Sequence, residues 1–454
     1  MYVKFKKQIG KPMYIQLYDA ICADILSGKL RKGMFLPSRR ALAAELNIAQ
    51  NTVEGAYKML ADTGYVTPVP RQGYVVSFTN PLLSGDTPWE MNAPEQVVFS
   101  PNGIDTTHIN RAAYAKIMRD IMYNDGRDIF SYAEKGGEFE LRSAISKYLY
   151  MFRSVKCSPD TIIIGAGAEY LVSALSAIFG KESAVIFENP CNTSFYRVLT
   201  SANQNVITLP LNGGRVDFDA LNSSGGNILF IDPDTRFPRS SAMDEEERRT
   251  LLEWAYMEKD RYIIENCIGS EITPEQPGTL YSMDTENKVI YLGSFSRSFS
   301  PAVKTAYMVL PPALMEKWKA YHVYYYALTP KSEQLALADF LNKGYFTKHC
   351  RDMRRVYREK RKYFEECMSA GFGEKFKVES ASAGTYISAM LDGFTAEDIK
   401  KVARIGGVKL LSLNSYNVNK EFETIAGDRL VIGYGDLTRE KIRLGVRLWS
   451  DMMK

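Results

Sequence analysis

Gln50, Asn51 and Thr52 open a segment in which Val53, Ala56, Tyr57 and Leu60 fall on one side of a helix. Polar side chains of these types read base edges when a helix enters the major groove N-terminus first. Gln and Asn pair bidentately with adenine, and Thr meets a thymine methyl. Arg39, Arg40 and Arg71 are of the type that grips phosphates, which positions a protein on a duplex without reading it. Gly73 sits beside Arg71 at the tip of an expected hairpin. The competing reading is a three-helix structural domain whose arginines face water; pattern, charge and hairpin together favour DNA. Metal chemistry is not expected, because the three histidines (108, 322, 349) lie in no ligand spacing with the cysteines. The six cysteines are scattered without a CxxC pair, as in a protein that keeps reduced thiols. Cys267 reads as a small buried filler, since no histidine accompanies it.

The elements that must hold these residues follow from pattern and charge. Residues 1–80 carry 11 Lys and Arg against 5 Asp and Glu, and the remainder 46 against 48. A basic head on a near-neutral body implies an anionic partner for the head. Tyr14, Tyr18, Ile21 and Ile25 make the apolar stripe of a first helix. Pro37-Ser38 starts a second, with Leu42 and Leu46 facing inward, and Gly64 ends the third. Tyr65-Val66-Thr67 and Tyr74-Val75-Val76 flank Arg71-Gln72-Gly73 as a hairpin. The sum is a mostly α winged helix-turn-helix over residues 1–78. Residues 79–101, with Pro81, Pro88, Pro94, Pro101 and Gly85, read as a linker.

Beyond it, short apolar runs alternate with helical patterns: Thr161–Ile164, Ala184–Phe187, Val206–Leu209, Ile228–Ile231, Tyr262–Glu265, Val289–Leu292 and Ala306–Leu310. This predicts an α/β domain over 102–364 with a mostly parallel sheet, and a smaller α/β unit over 365–454. Ligands of such sheets sit beyond the carboxyl ends of the strands. Length alone, 454 residues, asks for two to four domains. Hydrophobic residues at 45% and charged ones at 24% exclude wholesale disorder. No apolar run of about 18 residues occurs and the N-terminus lacks a secretory stretch, so a cytoplasmic protein with no membrane partner is expected.

Two resemblances sharpen this. Residues 10–77 resemble the GntR-type winged helix domain in Pro12-Met13-Tyr14, in Leu36-Pro37-Ser38-Arg39-Arg40-Ala41-Leu42-Ala43, in Asn51-Thr52-Val53 and in Gln72-Gly73-Tyr74. Residues 100–454 resemble fold-type I aminotransferases, which use pyridoxal phosphate. The matching runs are Gly136 through Arg142, Glu188-Asn189-Pro190, Pro233 through Pro238, Gly293 through Ser296, and Pro301 through Tyr307. Joined, they resemble a MocR-type transcription regulator over nearly the whole chain. The resemblance implies a double-stranded DNA operator, a head-to-tail homodimer and pyridoxal phosphate as the family's cofactor.

The family's chemistry, however, lacks its parts. Where the imine lysine closes a Ser-Phe-Ser-Lys motif, this chain reads Ser294-Phe295-Ser296-Arg297. A guanidinium stays protonated and offers no free amine to an aldehyde. The ring-nitrogen Asp and the phenol align with Asn266 and Ile268, and the stacking aromatic with Asn192. The polar pair after the phosphate-cradling Gly167 aligns with Ala168 and Glu169, the family's Ser-His-Gln run with Asp234-Thr235-Arg236, and the phosphate arginine with Lys304. Covalently bound cofactor and catalysis are therefore not expected. Gly167, Ala168, Asn192, Asn266, Ile268, Ser294, Ser296, Arg297, Lys304 and Arg429, the last in the stretch where the family places its carboxylate-binding arginine, outline a degenerate pocket. Arg297, Lys304 and Arg236 would make it cationic and suited to a small anionic or amino-acid effector. The plainer alternative pairs Arg297 with Glu169 or Asp234 and leaves the hole unused. Two further readings stand beside the regulator. One is a working aminotransferase with a fused DNA-binding head, in which Lys304 or Lys288 takes over the imine; the other is a structural protein whose head has lost DNA.

Overall fold

The computed structural model describes residues 12–26, 29–30, 32–70, 72–77, 97–124, 129–275, 278–322, 327–419 and 429–453. The chain forms two compact units, Met1–Asn92 and Ala93–Lys454.

In the first unit, helices α1 (Met13–Leu26), α2 (Arg39–Leu46) and α3 (Gln50–Asp62) precede strands β1 (Val66–Val69) and β2 (Gly73–Val76). Ser38 caps α2 by accepting from the Ala41 amide at 3.1 Å. Asn47 ends α2 in the left-handed region at φ 53°, which turns the chain into α3 within three residues. Val53, Ala56, Tyr57 and Leu60 of α3 are buried against Leu42 of α2 and against Leu17, Ile21 and Ile25 of α1. The stripe of α1 thus centres on Leu17, while Tyr14 lies at the surface. The Tyr57 hydroxyl donates to the Pro37 carbonyl at 2.8 Å and ties α3 to the entry of α2. β1 and β2 pair antiparallel from Val66↔Val76 to Val69↔Gly73. Arg71, at the hairpin tip, lies outside the described residues.

The second unit begins earlier than the linker boundary implied. β3 (Val97–Val98) pairs with β14 (Val408–Lys409), and Val97 and Phe99 are buried in the small domain's core, so residues 97–101 belong to the folded body. Residues 79–96 lie outside the described residues. The large sheet holds β4 (Ile162–Gly165), β5 (Ala184–Asn189), β6 (Asn205–Asn212), β7 (Arg215–Val216), β8 (Ile228–Ile231), β9 (Tyr262–Asn266), β10 (Val289–Ser294) and β11 (Ala306–Val309). Their order is β4-β11-β10-β9-β8-β5-β6-β7. The run from β10 to β6 is parallel; β4, β11 and β7 join antiparallel. Parallel strands are covered on both faces, which is why they read as unbroken apolar runs. Ile162 and Ile164 face a core with the helix Phe139–Arg153, while Ile163 faces another with the helix Ala168–Phe179. The small domain's sheet is β12 (Phe376–Ser380), β13 (Tyr386–Leu391), β16 (Leu430–Gly433) and β15 (Leu411–Ser412), in that order. Its core takes Phe364 and Met368 from the long helix Tyr345–Phe372, so the boundary near residue 365 falls inside a helix.

Leu60→Ala empties a fully buried site at the junction of the head's three helices. It should lower head stability by about 2–5 kcal/mol; urea unfolding followed by a probe in the head checks this, with the body's transition unmoved.

Candidate functional site

The head's candidate face is built by α2 and α3. Gln50 and Asn51 are exposed on the first turn of α3, with Thr52 half-buried. Helix geometry thus presents polar tips at the N-terminus while Val53, beginning the apolar stripe, points inward. Arg40 is exposed and, among the described residues, makes no ion pair. Arg39, expected as a phosphate contact, has its Nη1 2.5 Å from Oε1 of Glu54 on α3. Gly73 opens β2 at φ 110°, a conformation that favours glycine.

The body's cleft lies beyond the carboxyl ends of β4, β5, β8, β9 and β10, as strand-end loops dictate. It is a cavity of about 290 Å³ lined, among others, by Gly167, Ala168, Asn192, Asn266, Ile268, Ser294, Ser296, Arg297 and Lys304. Gly167 ends the β4 loop at φ 101° and caps the helix Ala168–Phe179, with Glu169 exposed in its first turn. Asn192 caps the helix Thr193–Ser201 by accepting from the Ser194 amide at 3.1 Å. Ser294 accepts from the Ser296 amide at 3.2 Å, and the Ser296 hydroxyl donates to the Val303 carbonyl at 2.9 Å. Asn266, at the end of β9, donates its amide to Asp232 at the end of β8.

Arg297 reaches across this cleft. Its guanidinium donates to the Asn102 side chain at 3.0 Å, to the Pro101 carbonyl at 3.0 Å and to the Thr385 hydroxyl at 3.4 Å. All three acceptors are neutral, and no carboxylate among the described residues lies within ion-pair distance. Neither Glu169 nor Asp234 is its partner. Asp234 is instead buried between Arg153 at 2.7 Å and Arg248 at 2.9 Å. Arg236 is also withdrawn from the cleft: it is buried and donates to Glu247 and the Gly214 carbonyl. Its positive charge is spent beneath the site. Arg429 lies outside the cavity, where its Nε contacts both carboxylate oxygens of Glu379 at 2.6 Å.

The residues present do not fit covalently held pyridoxal phosphate. Lys304 is exposed and is the one lysine lining the cavity among the described residues. Lys288 is turned to the carbonyls of Glu258 and Lys259 at 2.9 and 2.8 Å, away from the cavity. Asn266 brings an uncharged amide to the ring-nitrogen position, and Glu169 sets a carboxylate at the helix terminus that would receive a phosphate. Several cavity residues escaped the sequence reading. Asn102, Thr385, Tyr386 and Tyr416 enter from outside the large sheet. Tyr386 is buried, and burial pushes its phenol up. No local motif marks these four. Asp232 was legible as part of a strand-end loop, but its chemistry was not. Burial, reinforced by Glu188, pushes its carboxyl up to about 8, against the opposing pull of the Asn266 amide and Arg297.

That shift sets a pH dependence. An unfolded aspartate ionises near pH ~4, whereas folded Asp232 keeps its proton to about 8. Between these values the folded state binds more protons than the unfolded state, so this group's stabilising contribution is lost as pH rises. Asp232→Asn removes the loss. Relative to the unsubstituted protein it should gain stability steadily from pH 4 to 8, read as urea midpoints across that range; a pH-independent difference would contradict the buried acid.

Known proteins are similar to this chain along both of its units. The family of bacterial regulatory proteins called gntR matches residues 13–76. The uncharacterized HTH-type transcriptional regulator YdeL of Bacillus subtilis is 30% identical over 450 residues, covering 96% of each chain. The probable rhizopine catabolism regulatory protein MocR of Rhizobium meliloti is 24% identical, over 96% of this chain and 92% of its own. Among solved structures, the multiple substrate aminotransferase of Thermococcus profundus superposes with a TM-score of 0.68 at 18% identity, over 79% of this chain and 91% of its own. The kynurenine aminotransferase of Pyrococcus horikoshii, solved with PMP, gives 0.68 at 19%, over 80% and 91%. The gntR head implies DNA binding. No helix among the described residues is long and apolar enough to cross a membrane. Relatedness along nearly its whole length, a gntR head and an aminotransferase fold make this chain a member of the MocR-type HTH transcriptional regulators.

Proposed function

We propose that the aminotransferase-like body is a dimerising, non-catalytic effector domain, and that the exposed face of α2 and α3 places the head on operator DNA. The observation that carries the non-catalytic part is Arg297, a permanent cation engaged by neutral oxygens where a family lysine would form an imine. Together with Lys304, the buried Tyr386 hydroxyl and the protonated Asp232 carboxyl, it suits a small carboxylate or amino acid held by charge and hydrogen bonds alone. An effector acts by binding two arrangements of the regulator unequally. A homodimer is supported by Met122, Phe130, Tyr132 and Leu328, which line one shallow depression; Phe130 is 85% and Tyr132 81% exposed. Aromatic and methionine side chains grouped this way are typical of a surface that meets a partner. A cytoplasmic location accords with a protein that acts on DNA.

On operator DNA, Arg40→Ala should weaken binding to all duplexes alike and reduce the slope of log K against log salt by about 0.9 for each phosphate no longer neutralised. Unchanged affinity and slope would remove Arg40 from the interface. Arg297→Lys alone should give no transaminase turnover with added pyridoxal phosphate, because Asn266 cannot hold a protonated ring nitrogen; measurable turnover would overturn the non-catalytic reading. A thermal-shift screen with amino acids, small acids and B6 vitamers tests the cleft directly, since a ligand of the native state raises Tm.

A further inference from the structure

The helix Tyr345–Phe372 spans 28 residues and is the longest among the described residues. Its inner side buries Phe346, Cys350, Met353, Tyr357, Phe364 and Met368. Its outer side is of another kind. Arg351, Arg355, Arg358 and Lys362 recur at spacings of 4, 3 and 4 and are all exposed. That spacing puts them in one row on the helix surface. None of the four has a carboxylate within ion-pair distance among the described residues. The nearby acids are largely engaged elsewhere. Asp352 lies 2.5 Å from Lys348, Glu365 2.8 Å from Arg361, Asp105 2.7 Å from Lys360, and Glu359 3.9 Å from Arg439.

From Arg351 to Lys362 the helix rises about 17 Å. One strand of a duplex sets a phosphate about every 3.4 Å along its axis, so the row faces about five phosphates with four cations. Three of the four are arginines, whose planar forks match phosphate oxygens. The row carries no apolar side chain to enter a lipid surface. The chain's own DNA-binding head also keeps a duplex at high local concentration.

We propose that this row is a second DNA-contacting surface, which grips the phosphate backbone of duplex outside the segment read by the head. The proposal rests on the head's being the sequence-reading module. It adds affinity without sequence preference, so its footprint appears as a dependence on duplex length and salt.

The test uses the full chain. A 20-base-pair duplex selected by the protein from a random library is compared with the same segment centred in 60 base pairs of random flank. The unsubstituted protein should bind the longer duplex more tightly and with a steeper salt slope. The fourfold variant Arg351→Gln, Arg355→Gln, Arg358→Gln, Lys362→Gln should bind the 20-base-pair duplex as before. It should lose the length dependence, with a slope flatter by up to about 3.6 on the longer duplex. Across a rise from 50 to 200 mM salt that is about a hundredfold in affinity. Arg→Lys at 351, 355 and 358 should retain the effect, since charge rather than shape is responsible. Equal length dependence in the Gln variant and the parent overturns the proposal and leaves the head's role intact. A protein that binds neither duplex fails at the head instead. A variant that binds only anionic vesicles or acidic protein less well assigns the row to another partner and overturns it too. An unchanged thermal transition confirms that the exposed substitutions spare the fold.

Discussion

A guanidinium keeps its proton at any pH a cell reaches, so a cleft that contains one must satisfy a permanent charge. In this body the charge at position 297 is met by a carbonyl, an amide oxygen and a hydroxyl rather than by an acid. Those oxygens come from the segment at residues 101–102 and from Thr385 at the edge of the small domain. One side chain thereby joins the end of β10 to two other parts of the fold. The same set of hydrogen bonds gives the cleft its electrostatic character, because neutral acceptors leave the charge uncompensated. Asp232, an acid lining the same cleft, is held in its protonated form chiefly by burial.

Beneath the cleft the positive side chains behave differently. Asp234 sits between Arg153 and Arg248, and Arg236 reaches Glu247. Burial pushes the Asp234 carboxyl upward, but the two guanidinium groups overcome this and hold it below the usual range. Removing one member of such a set leaves an uncompensated buried charge, which is costly. The residues standing in the family's Ser-His-Gln run therefore divide by depth. Thr235 reaches the cavity, whereas Asp234 and Arg236 help to build the floor on which it rests.

The head solves a separate problem with a small core. Leu17, Ile21, Leu42, Val53, Ala56 and Leu60 are fully buried, and the polar start of α3 is what remains for a partner. Glu54 holds Arg39 on the same surface, so Arg40 is the α2 cation left without an ion pair among the described residues. One helix thereby packs the core with one face and leaves Gln50 and Asn51 at its start exposed.

Much of this was legible in the residues themselves. Amphipathic spacing located α3 and its buried face, and unbroken apolar runs located the strands from β4 to β11 except the two-residue β7, because both periods are local properties of the chain. The exchange of lysine for Arg297 was readable for the same reason: loss of an amine is a fact of composition. What surrounds Arg297 was not. Asn102, Thr385 and Tyr386 lie far from it in sequence and meet it only when the small domain folds against the strand ends. The placement of Arg236 and Arg429 was likewise beyond the sequence, since residue type gives charge but not direction. Sequence determined which groups are present and which face of each element is apolar; the tertiary fold decided which charges meet one another, because pairing distance depends on how separate elements pack.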